Sequence, residues 1–144
     1  MEENTKRRVL VIWNDVKELY RITGFLETLW EDWALPVKTM YPINLVLEEA
    51  FSNIIFYAFD DQDTHMIGVE FLLETDKLVI IIKDGGKPFD PTAKEDPDTS
   101  LSVEERPIGG LGIFLIKKMM DEVHYERVQD KNHLTMTKYL NSEN

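Results

Sequence analysis

The chain has 144 residues, 43% of them hydrophobic and 30% charged, which fits one compact domain with a core of its own. No cysteine is present, so disulfide frameworks, thiolate metal sites and cysteine nucleophiles are excluded. The formal net charge of −11, with no basic stripe beyond Lys6-Arg7-Arg8, argues against DNA or RNA as a partner.

Arg7 to Trp13 reads as a strand, and Asn14 or Asp15 as the N-cap of a helix running to about Trp33, where Leu35-Pro36 breaks it. Leu19, Ile22, Phe25, Leu26 and Leu29 recur on that helix at helical spacing. Pro42 suits the first turn of a second helix, largely buried, with apolar residues from Ile43 to Phe59 around most of its circumference. His65 to Glu74 and Lys77 to Lys83 form a hairpin about Thr75-Asp76, with Leu78 to Ile82 expected at the sheet's centre and buried on both faces. From Asp84 to Ile108 the pattern gives way to glycine, proline and acidic residues, a stretch long enough to read as a functional loop, or lid. Gly109 to Gly112 then opens an apolar helix ending near Asp121. Val123 to Gln129 and His133 to Leu140 close the chain as a hairpin around Asp130-Lys131-Asn132. His65, His124 and His133 lie far apart in strand-like stretches and read as ordinary sheet residues.

Strand, helix, helix, two strands, lid, helix, two strands is the order of a two-layer α/β sandwich, expected here as a mixed sheet with helices on one face. The absence of βαβ alternation disfavours a doubly wound fold, and no Gly-x-x-x-x-Gly-Lys-[Ser/Thr] phosphate loop occurs. No apolar run is long enough for a membrane helix, and Met1-Glu2-Glu3-Asn4 does not open a signal peptide, so a soluble cytoplasmic protein is expected.

Three segments could carry chemistry. Glu48, Glu49, Ser52 and Asn53 form a polar stripe on the apolar second helix, with Glu49 and Asn53 on one face. Because a buried, unpartnered carboxylate is costly, that stripe faces water, a cation or a cleft, and a solvated edge is the plain alternative. Asp84-Gly85-Gly86 sets a carboxylate and flexible backbone at the end of a buried strand, where Asp84 could accept a hydrogen bond from a base amino group; taken alone it is equally a turn. Phe89, in the following loop, is a candidate apolar wall. Gly109-Gly110-Leu111-Gly112 precedes a helix and offers amide groups and a helix dipole to an anion, or is simply a tight loop. Arg106, upstream, is either a phosphate contact or a surface arginine.

In order and together, Glu49-Ala50-Phe51-Ser52-Asn53, the Asp84 to Pro91 segment and Gly109-Gly110-Leu111-Gly112 resemble the N, G1 and G2 boxes of the gyrase, Hsp90, histidine-kinase and MutL ATPase superfamily. The resemblance runs from about Arg7 to Leu140. It implies the Bergerat, or histidine-kinase-like, ATPase fold, as a single domain over 1–144 with the ATP lid at 85–108. Its nearest branch is that of the anti-sigma-factor serine/threonine kinases. The resemblance implies ATP and Mg²⁺ as cofactors, with Asn53 as the Mg²⁺ ligand bridging to the phosphates and Glu49 as general base for a protein serine. It further assigns the adenine amino group to Asp84, approach of the backbone to the base to Gly86, phosphate seats to Gly110 and Gly112, and assistance near the adenine to Thr135. Tyr57 stands where many relatives have histidine.

The function this implies is an ATP-dependent kinase that phosphorylates a serine or threonine on an anti-sigma-factor antagonist, sequesters a sigma factor, and forms a homodimer. Three other readings compete with it: a nucleotide-gated binding module without phosphotransfer, the detached ATP domain of a sensor histidine kinase, and a structural domain whose glycine loops are accidental. The 52 residues ahead of Asn53 leave little room for a sensor kinase's dimerisation helices, and Glu49 favours phosphotransfer over binding alone.

Overall fold

The computed structural model describes residues 5–90 and 110–140, with side chains in the last helix described from Phe114 onward. Strand β1 (Lys6–Trp13) leads through a 3₁₀ turn at Val16–Glu18 into α1 (Leu19–Asp32). Asp15 caps that turn, its Oδ1 accepting from the Lys17 amide at 2.9 Å. Helix α1 stops before Pro36 is reached. Ala34 adopts φ 51°, and the Leu35 amide donates to the Trp30 carbonyl at 3.0 Å, while that of Ala34 donates to Glu31 at 3.2 Å. These two bonds close a Schellman cap with alanine where glycine is usual.

A second 3₁₀ turn at Val37–Thr39 enters α2 (Met40–Tyr57), and the hairpin β2 (Met66–Leu73) and β3 (Lys77–Asp84) follows. Helix α3 (Gly110–Met119) precedes the closing hairpin of β4 (Glu122–Val128) and β5 (Lys131–Tyr139). The sheet order is β1-β2-β3-β5-β4 and every pairing is antiparallel, not mixed as the sequence suggested. The two-helix excursion through α1 and α2 returns β2 antiparallel to β1. Strands β3 and β4, separated by one helix, are kept from pairing directly because β5 lies between them.

All three helices lie on one sheet face. Leu10, Ile12, Ile67, Val69, Phe71, Leu78, Ile80, Ile82, Leu134 and Met136 meet Ile22, Leu26, Leu29, Leu47, Phe51 and Ile116 in one core. Helix α2 packs against both α1 and α3. Strand β3 is central, as expected, but only Leu78, Ile80 and Ile82 are fully buried; Val79 and Ile81 look outward and are partly covered. The outer face bears Val9, Val11, Trp13 and Met66, all substantially exposed. Across it Arg7 bonds Glu70, with Lys83 Nζ 3.5 Å from the same carboxylate. The Arg7 hydrogen bond, ahead of the charges of Arg7 and Lys83, holds the Glu70 carboxyl below the usual carboxylate range.

Among the described residues no helix is long and apolar enough to cross a membrane. The cap at Ala34 generates a test. Ala34→Gly relieves the left-handed backbone strain and raises stability by about 0.5–1 kcal/mol, read as a higher Tm with unchanged circular dichroism.

Candidate active site

Glu49, Asn53 and Tyr57 follow one another at four-residue steps along one side of α2, beside the positions that enter the core. Glu48 is diverted elsewhere: Asn44 Nδ2 approaches its Oε2 at 3.5 Å, and Asn44 accepts from Thr23 on α1 at 3.2 Å. Glu49, partly buried, makes no hydrogen bond or ion pair among the described residues. Asn53 Nδ2 is buried without a hydrogen-bond partner there. A buried donor left unmatched costs about 1–3 kcal/mol, so α2 carries a polar group whose partner none of the described residues supplies. An Asn amide in that position fits a polyphosphate with its cation, Nδ2 donating to an oxygen and Oδ1 free to ligate. Tyr57, one turn on, is about half exposed beside Phe56, the ring centroids 6.2 Å apart.

At the end of β3 the alternation that buries Leu78, Ile80 and Ile82 also turns Asp84 toward the helix layer, where it is 5% exposed. Two donors meet its Oδ1, the Gly86 amide at 2.8 Å and Asn132 Nδ2 at 3.0 Å. Gly86 is required by close packing: a Cβ there would lie 2.6 Å from both the Cβ and the carbonyl oxygen of Ala58, at the C-terminal end of α2. The Lys87 amide donates to that same carbonyl at 2.9 Å. The Asp84 loop is thus latched directly onto the helix that carries Glu49 and Asn53. Phe89 is partly exposed beyond it, its amide 3.4 Å from Asn132 Oδ1.

Helix α3 begins at Gly110 and packs against α2, so the third glycine segment leads into the same layer. Lys138 of β5 donates to the Met119 carbonyl at 2.9 Å and anchors the far end of α3, a favourable place for a cation. Gly112 lies in the first turn of α3, whereas Gly109, Arg106 and all of the expected 85–108 lid beyond residue 90 lie outside the described residues.

Thr135 is not brought to this group. It pairs with Ile81 and so projects from the outer face, away from Asp84; the β5 residue opposite Asp84 is Asn132. The sequence reading placed Asn132 in a turn, but the turn consists of Gln129 and Asp130, at φ 50° and 67°, and β5 starts at Lys131. Asn132 is 5% exposed and, with Tyr125 and Arg127 of β4, forms a polar cluster beneath the Asp84 loop. Its signal was present in the chain, since Asn132 stands in phase with Leu134 and Met136.

Among the described residues the fold thus sets an unmatched amide and an unpartnered carboxylate on α2, an oriented carboxylate at the end of β3 and a glycine-led helix in one layer. A family profile described as the histidine kinase-like ATPase domain matches residues 12–138. The chain belongs to that family. It is 36% identical over 107 residues to the serine-protein kinase RsbW of Bacillus velezensis, covering 70% of this chain and 65% of that protein. It is 35% identical over 105 residues to the RsbW of Listeria monocytogenes (serotype 4a), covering 69% and 65%. The chain therefore spans just under two thirds of the length of these relatives. Among solved structures, the histidine kinase AdeS of Acinetobacter baumannii is 16% identical with a TM-score of 0.48, covering 94% of this chain and 70% of that one.

Gly86→Ala tests the latch between the loop and α2. The new Cβ forces the loop away from Ala58 and lowers stability by about 1–3 kcal/mol, measured by denaturant unfolding, with weaker nucleotide binding alongside.

Proposed function

We propose that this chain is an ATP-dependent serine/threonine protein kinase that acts as an anti-sigma factor in the cytoplasm. It phosphorylates a small antagonist protein and, when that antagonist is absent, sequesters a sigma factor. The observation that carries the reading is the pair on α2, both without a partner among the described residues: the carboxylate of Glu49, one turn before the buried amide of Asn53. The likeness to proteins named serine-protein kinases supports the choice of a protein hydroxyl as acceptor.

Phosphoryl transfer needs positioning, charge neutralisation and a group to orient the nucleophile. Asp84 would hold the adenine amino group, its carboxylate already oriented by Gly86 and Asn132. Asn53 would hold Mg²⁺ and the phosphates, and the cation when bound supplies charge neutralisation. Gly110 and Gly112 would lend backbone amides to the phosphates. Phe89 and Tyr57 would flank the nucleotide, residues 85–108 would serve as its lid, and Arg106 would reach the terminal phosphate. Glu49 would accept the proton of the acceptor hydroxyl. Homodimerisation through the outer sheet face is supported by its exposed Val9, Val11, Trp13 and Met66.

The test is transfer of radiolabelled γ-phosphate from ATP with Mg²⁺ to candidate antagonist proteins of the same organism. Label is expected on a serine or threonine, with Glu49→Gln at least about a hundredfold slower yet binding ATP as before. Undiminished transfer by Glu49→Gln would remove the base assignment. Nucleotide binding without transfer to any candidate would favour a nucleotide-gated binding module.

A further inference from the structure

We propose that Asn132 is the positioning residue that sets the base preference of this site, by fixing which oxygen of Asp84 a ligand meets. The inference rests on the reading that Asp84 receives the adenine amino group.

Asn132 uses every hydrogen-bonding group of its amide. Nδ2 donates to Asp84 Oδ1 at 3.0 Å and to the Lys87 carbonyl at 2.8 Å. Oδ1 accepts from the Tyr125 hydroxyl at 2.5 Å, from Arg127 at 3.0 Å and from the Phe89 amide at 3.4 Å. The amide has a single orientation compatible with these partners, because a flipped amide would aim its oxygen at the Asp84 carboxylate and the Lys87 carbonyl. Arg127 fixes it further by also bonding the Gly86 carbonyl at 2.8 Å. The closing hairpin therefore grips the loop at Gly86, Lys87 and Phe89 while α2 grips it at Gly86 and Lys87 through Ala58.

The consequence for Asp84 is chemical. Its Oδ1 is committed to Gly86 and Asn132, which leaves Oδ2 to meet a ligand as an acceptor. An acceptor held in place at 5% exposure welcomes an exocyclic amino group and repels a carbonyl, as inosine and guanine present at the same ring position. Without Asn132 the carboxylate can rotate, and Oδ1 loses one of its two donors, so discrimination between amino and carbonyl purines relaxes.

The experiment is calorimetric titration of the full chain with Mg-ATP and Mg-ITP, the latter carrying a carbonyl in place of the amino group. Wild type is expected to prefer ATP by about tenfold or more. Asn132→Asp, which keeps the volume but replaces the donor facing Asp84 by an acceptor, is expected to bring the preference to about twofold or less, with Asn132→Ala close behind. If either Asn132 variant weakens both nucleotides equally, Asn132 is a structural prop and the inference is overturned. If wild type shows no preference, the assignment of the base to Asp84 itself fails. Thermal melts report folding of each variant. Should the Asn132 variants not fold, Arg127→Met removes the bonds that hold the Asn132 amide and the Gly86 carbonyl in place; an ATP preference retained in full there overturns the inference, and a loss of threefold or more supports it.

Discussion

In β3 the alternation of inward and outward side chains runs unbroken to the end of the strand. Leu78, Ile80 and Ile82 must face the helices to make the core, and that phase carries Asp84 to the same side. A carboxylate placed there needs donors, since desolvation without hydrogen bonds is costly. The chain meets the need with Gly86 and Asn132, and those bonds draw the loop after β3 down between α2 and the closing hairpin. The close contact of Gly86 with Ala58, the use of Arg127 and Tyr125 as supports, and the approach of the loop to α2 all follow from that one buried acid.

Helix α2 presents the complementary situation. Its core positions, Ile43, Val46, Leu47, Ala50 and Phe51, are wholly satisfied, and its other flank is not. Asp84 is tied down by its neighbours; among the described residues Asn53 and Glu49 are left without partners. A folded domain tolerates such groups at the expense of its own stability where a ligand completes them, and here they sit on the helix to which the Asp84 loop is latched. On the proposed function, this division would give rigid recognition to the β3 end and the chemistry to α2, which suits a reaction governed by positioning.

Much of this was legible in the sequence because it rests on periodicity. The β2–β3 hairpin about Thr75-Asp76, the central place of β3, the two-layer order and the polar stripe on α2 follow from spacing alone. What escaped depended on contacts between distant segments or on small shifts of register. One shift of a turn, from Asp130-Lys131-Asn132 to Gln129-Asp130, places Asn132 in β5 opposite Asp84, while Thr135, expected near the adenine, pairs with Ile81 and faces outward. The role of Gly86 could not be read from an Asp-Gly-Gly motif, because the atoms that exclude a side chain belong to Ala58, 28 positions earlier. The antiparallel sheet was likewise hidden, since the insertion of β5 between β3 and β4 is a matter of topology.

The central claim is that the unmatched groups on α2 and the fixed carboxylate of β3 form one site for a nucleotide with its cation. The most direct test is thermal unfolding of the wild-type chain across a titration of ATP, with Mg²⁺ and again with a chelator. A site of this kind predicts a Tm that climbs with the logarithm of ATP concentration in the presence of Mg²⁺ and far less without it. A Tm that stays constant up to millimolar Mg-ATP would contradict the account.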